Sequence, residues 1–216
     1  MQSLNLSGET KKSDGRLKSI FWPTVDNAWD VDYLGQQGFW ICLIIALANL
    51  VIIAIAASEV ADSTARIVTL ILGGVLCFVY FVGGMGVRQA SWPAALTIFV
   101  LYVLDQLAAG HPPSVLPLII AGVLLSNVRA TFLASRWKPA AEDEDRPTRF
   151  NETFRDKLVD QLPPRVWPVL RYPFYFFAVI VAILVLGNSY TRLRNSNRVV
   201  DENATPSVTV SPDNSQ

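Results

Sequence analysis

The chain has little of what most enzymes work with. It holds one histidine, His111, and two cysteines, Cys42 and Cys77, in 216 residues. A single histidine excludes a histidine-rich metal centre and the HExxH helix of zinc proteases. His111 sits in a Gly-His-Pro-Pro turn with no nucleophile beside it, so no Ser–His pair is indicated. No glycine-rich phosphate loop with its lysine is present, and Gly83-Gly84-Met85-Gly86 closes an apolar run instead of joining a strand to a helix. Charged residues are 17% of the chain, below the roughly one quarter usual in a soluble domain. Acidic and basic residues balance at 18 each, so no overall field gathers nucleic acid. Both cysteines fall inside apolar runs, where they read as small packing residues and not as a disulfide or a metal pair. No motif calls for a cofactor, and no cleavable leader is visible before the first apolar run.

What the chain does have is five apolar stretches, at 38–57, 67–87, 93–109, 115–134 and 172–190. Each approaches the ~20 residues a helix needs to cross ~30 Å of hydrocarbon. They predict an all-α fold, a polytopic transmembrane helical bundle of five spans. Residues 1–37 form an arm whose Phe21, Trp22, Trp29 and Tyr33 suit a membrane–water interface, and a short surface helix or turn is expected there. Ser91-Trp92-Pro93 turns the second span into the third, with Pro93 near a helix start where proline is tolerated. Pro112 and Pro113 break the chain again, giving a tight hairpin between the third and fourth spans.

A charged connector fills 135–171. It holds the acidic run Glu142-Asp143-Glu144-Asp145, read as a solvated linker. Phe150, Phe154, Leu158 and Leu162 recur every four residues, which predicts an amphipathic helix over 148–162. That helix lies on the membrane surface or packs against the protein's own loops; Pro163-Pro164 is expected to end it. A four-span core at 38–134 and a separate fifth span are therefore expected, with 191–216 as a disordered tail.

The distribution of basic residues sets the orientation. With the N-terminus in the cytoplasm, the arm, the Arg88 turn, Arg129 and the connector hold 14 of the 18 lysines and arginines. Arg66, Arg192, Arg194 and Arg198 fall outside. The bias favours a cytoplasmic N-terminus and a periplasmic C-terminus. The three arginines after Tyr190 support an alternative in which the fifth segment fails to cross.

Ionisable residues inside spans are functional candidates by default. Asp105, beside Gln106, is ~6 Å from the outer end of the third span, and Arg129 is ~21 Å from the same face in the fourth. They are too far apart to pair, so Arg129 is expected to reach the inner headgroups. Arg88, Arg129 and Arg136 together could hold one lipid phosphate. Asn49, Asp105 and Gln106 are the candidates for a polar pathway. Small residues at close spacing mark helix contacts: Gly73 and Cys77 on the second span, Gly122, Ser126 and Ala130 on the fourth.

The segments Phe21-Trp22-Pro23-Thr24, Gln36-Gln37-Gly38-Phe39-Trp40, Gly86-Val87-Arg88-Gln89-Ala90-Ser91 and Asn127-Val128-Arg129-Ala130-Thr131-Phe132 resemble small uncharacterised multi-pass bacterial inner-membrane proteins. The resemblance covers 21–134 and implies a four-span core and an inner-membrane location, but no activity. The expected function is that of a non-enzymatic interaction or scaffold protein. Its partners would be the lipid bilayer and a membrane protein or further copies of itself, with no nucleic acid. A small transporter or channel subunit is the rival, and a lipid-acting enzyme the third reading.

Overall fold

The structure is a computed structural model. It describes residues 25, 28–109, 114–136 and 157–204. Residues 148–156 of the amphipathic helix expected over 148–162, the acidic run, the His111 turn, Phe21 and Trp22 of the N-terminal arm, and residues 205–216 lie outside the described residues. The fold is all-α, with no strand among the described residues. Its helices are α1 (Ala28–Glu59), α2 (Ser63–Arg88), α3 (Trp92–Ala109), α4 (Val115–Arg136) and α5 (Leu162–Ala204), the last preceded by a π-helical turn at Lys157–Gln161. Five helices are long and apolar enough to cross a membrane.

Local chemistry sets the turns. Asp62 caps α2 by accepting from the amides of Thr64 and Ala65, at 3.4 and 2.9 Å. Arg66 folds back and donates to the Val60 carbonyl at 2.9 Å, which closes the α1–α2 loop. At the other end of α2 the Ser91 amide donates to the Gly86 carbonyl at 3.0 Å, a C-terminal cap of the Schellman kind. Ala90 occupies its left-handed position at φ 52°, where glycine is usual. The Ala95 amide then donates to Ser91 at 3.0 Å and starts α3.

The helices α1 to α4 form a closed ring, each touching the next and α4 returning to α1. α5 lies in the groove between α2 and α3. It is part of the bundle, not a separate span on a leash: Phe174 is fully buried, and Trp167, Ala178 and Val181 share one core with Tyr80, Ile98 and Leu101. Glycines on α2 permit this approach. A Cβ on Gly83 would strike Ile98 of α3 and Phe174 of α5. One on Gly86 would lie 2.6 Å from both Ala94 and Trp167. Small residues admit close backbones where lipid supplies no drive for helices to associate.

Three helix boundaries differ from the sequence expectation. α1 starts at Ala28, so residues 28–37 are continuous with the first apolar helix and do not form a separate short helix or turn. Val31 and Leu34 are buried there against Ala130 of α4. α5 starts ten residues early and runs past Tyr190 to Ala204, through much of what reads as a disordered tail. Pro163 and Pro164 do not end a helix; they occupy the first turn of α5, where no amide partner is needed. The far extension has no proline or glycine, and adding residues to an existing helix is easier than nucleating one.

The neighbouring glycines of α2 provide a test. Gly86→Leu should destabilise the protein by about 1–3 kcal/mol through overpacking. Gly74→Leu should be tolerated, because a Cβ there meets nothing within 4 Å. Ala90→Gly should stabilise by roughly 1 kcal/mol by removing the left-handed penalty. Denaturation midpoints in mild detergent check all three.

Candidate functional site

The most concentrated polar site lies where α1, α2 and the start of α5 meet. Its centre is Arg88, the last residue of α2. The Arg88 side chain is 10% exposed, against 27% for Asp32 of α1 and 39% for Asp160 of the π-helical turn. Arg88 Nη1 donates to Asp32 Oδ1 at 2.7 Å and Nη2 to Asp160 Oδ1 at 2.6 Å. Nη1 also reaches the Asp32 carbonyl and Nε the Val159 carbonyl, each at 3.3 Å. The planar guanidinium suits this work, since its donors point in fixed directions to several acceptors at once.

Apolar packing holds the partners in place. Val159 is buried with Phe39 of α1 and Met85 of α2, and Leu158 and Leu162 pack around them. This is the described part of the four-residue apolar stripe, and it faces the protein's own helices. Gly35 brings α1 within reach: a Cβ there would lie 3.4 Å from the Val87 carbonyl.

Ser126, Asn127 and Thr131 are buried on α4. Asn127 Nδ2 donates to the Val123 carbonyl at 2.9 Å, and Thr131 Oγ1 to the Asn127 carbonyl at 2.9 Å. Asn127 Oδ1 has no conventional hydrogen-bond donor. A Cβ added to Gly38 of α1 would lie 2.5 Å from it, so the glycine makes room for the Asn127 side chain. Nothing in the structure explains the unpartnered Ser126 Oγ.

The candidates from sequence fall at several places. Of the three arginines considered for a lipid phosphate, Arg88 is engaged by carboxylates of the protein itself. Arg129 is half-buried, and Arg136 is exposed with its guanidinium 4.2 Å from the centre of the Phe132 ring. Asn49 Nδ2 donates to the Ile45 carbonyl of its own helix at 2.9 Å, not to another helix. Asp105 and Gln106 are half-buried near the other end of the bundle, with Asp105 in electrostatic reach of Tyr80 and Tyr102. Tyr102 Oη in turn donates to the Pro117 carbonyl at 3.4 Å and links α3 to α4.

Of the small residues, Gly73 and Cys77 of α2 touch α1, and Ala130 of α4 packs with Val31 and Leu34. Gly73 packs on Ile53 of α1, and Cys77 Sγ donates to the Ala46 carbonyl at 3.4 Å. Ser126 and Ala130 are buried, and Gly122 is half-buried. Sequence reasoning missed the roles of Asp32 and Asp160. The only local signal was an acidic residue beside an apolar stripe, which does not name its partner.

No three or more His, Cys, Asp or Glu side chains gather as a metal-ligand set among the described residues. Arg88 and its two carboxylates form a tie between three chain segments. No protein-family model, curated protein or solved structure matches the chain.

Arg88→Ala should lower stability by about 3 kcal/mol, because it leaves partly buried carboxylates without a partner. Asp160→Asn should cost about 1 kcal/mol or less, since Asp160 is partly solvated. Denaturation midpoints of the purified variants, with protease cleavage near Asp160 as a local probe, check the order.

Proposed function

We propose that the protein is a non-enzymatic scaffold of a bacterial inner membrane, with its N-terminus in the cytoplasm and its C-terminus in the periplasm. The Arg88 tie carries this reading. The strongest polar arrangement among the described residues joins helices to one another and presents no reacting atom to a substrate. Large apolar side chains meanwhile face outward along α1, α2 and α5, which suits contact with lipid and with other membrane helices. The basic-residue bias supports the orientation. The length of α5 supports a crossing fifth helix. Trp167 packs near Gly86, and Arg192 Nη1 donates to the Ala108 carbonyl at 3.1 Å at the opposite end of α3.

Two measurements test the proposal. Purification of the full chain from native membranes into lipid nanodiscs should yield a stoichiometric assembly, with another membrane protein or with further copies. A lone monomer, with no crosslinks in the membrane, would overturn it. For orientation, a tagged C-terminal tail should be degraded by protease added to spheroplasts; degradation only in inverted vesicles would reverse it.

A further inference from the structure

We propose that Asp105, Tyr80 and Tyr102 hold a monovalent alkali cation inside the bundle, at the end away from Arg88. The site does not depend on the scaffold reading and goes beyond it.

α3 turns one face into the bundle. Ile98, Leu101 and Tyr102 lie on that face and are 0–5% exposed. Asp105 follows Ile98 by seven residues and Leu101 by four, so it continues the same face. A carboxylate on the inward face of a membrane span is costly and calls for a positive partner. Among the described residues no ion pair reaches Asp105. Arg192 comes to the same end of α3 but donates to the Ala108 carbonyl at 3.1 Å.

Two tyrosine hydroxyls converge on the carboxylate. Gly83 of α2 meets Ile98 of α3 and Gly86 meets Ala94, so the helices run antiparallel. Tyr80, three residues before Gly83, is therefore level with Leu101 and Tyr102. Side chains on a helix lean toward its N-terminus. α2 begins at the end away from Arg88, so the Tyr80 ring leans toward Asp105, and Asp105 leans back toward Tyr80. The carboxylate is in electrostatic reach of both tyrosines, and the tyrosines of each other. Tyr80 is 1% exposed, and its hydroxyl makes no hydrogen bond among the described residues. Buried hydroxyls are normally paired, so this oxygen points to a ligand. Tyr102 Oη gives its proton to the Pro117 carbonyl at 3.4 Å, which leaves its lone pairs for the same ligand.

The donor set selects the ligand. Three oxygens suit a hard cation. One carboxylate balances one charge, and a divalent ion would leave a net charge in a poorly hydrated site. An alkali ion meets both conditions. Asp105 is half-buried and four residues from the end of α3, ~6 Å, so water reaches it from that side and completes the coordination. Toward Arg88 the way is closed, because Val79, Val82, Ile98 and Leu124 are 0–2% exposed within one core. The site therefore binds an ion without passing it across the bundle. Asn49 is bonded to its own helix and is not among the ligands.

The test uses the full chain in lipid nanodiscs. Thermal unfolding is followed as sodium chloride, or in a second series potassium chloride, replaces choline chloride at constant ionic strength. Raising one of these alkali ions from roughly 1 to 100 mM should lift the midpoint by several degrees, since a ligand of the folded state stabilises it. Asp105→Asn should abolish the response, and without alkali ions it should melt no lower than the unaltered protein, because an unpaired charge is gone. Tyr80→Phe keeps the ring and should weaken the apparent affinity several-fold. His111→Ala should leave the response unchanged. A midpoint that follows ionic strength or pH alone would overturn the site. So would a response that survives Asp105→Asn, or one that disappears with His111→Ala. Co-purification decides the scaffold reading separately, so either proposal can fail without the other.

Discussion

The guanidinium of Arg88 is the point on which the arrangement of helices turns. It ends α2, and from there it reaches Asp32 on α1 and Asp160 just ahead of α5. A charge this far from water requires partners, and each partner is on a segment that must be brought to it. The fixed fork of donors then limits the angle at which the three segments meet. The small apolar cluster of Phe39, Met85 and Val159 packs the same three segments against one another.

Given that anchor, the position of α5 follows from glycine. α2 lacks side chains at Gly83 and Gly86 where α3 and α5 press closest. Phe174 and Trp167 fill that space, ring against ring at 5.5 Å. Four interior and first-turn prolines on α5 are compatible with this. Pro163 and Pro164 stand where amides have no helical acceptor, and Pro168 and Pro173 sit where neighbouring helices support the backbone. The helix therefore enters the bundle at the Arg88 end and leaves it near Ala108, with its opposite face turned outward.

Much of the architecture was legible from residue order. The apolar runs marked all five helices, because a chain in lipid must satisfy its backbone within each segment. Pro93 marked the start of α3, because proline suits the first turn of a helix. The ends of α1 and α5 were not legible. Val31 and Leu34 sit among polar residues and read as an interfacial stretch, yet Ala130 on α4 buries them. Leu158 and Leu162 showed a periodic stripe, but periodicity does not say whether lipid or protein covers it.

The candidate site divides the same way. The sequence by itself determined the all-α class and the five helices apolar enough to cross a membrane, and it placed Arg88 at the end of the second apolar run as one of three arginines considered for a lipid phosphate. These follow from composition and spacing along one segment. Only the tertiary structure decided where Arg88 sends its charge. Its partners lie 56 and 72 residues away in the chain, and no local pattern encodes a pairing over that separation. Packing of α1 and α5 on α2 brings the two carboxylates to it.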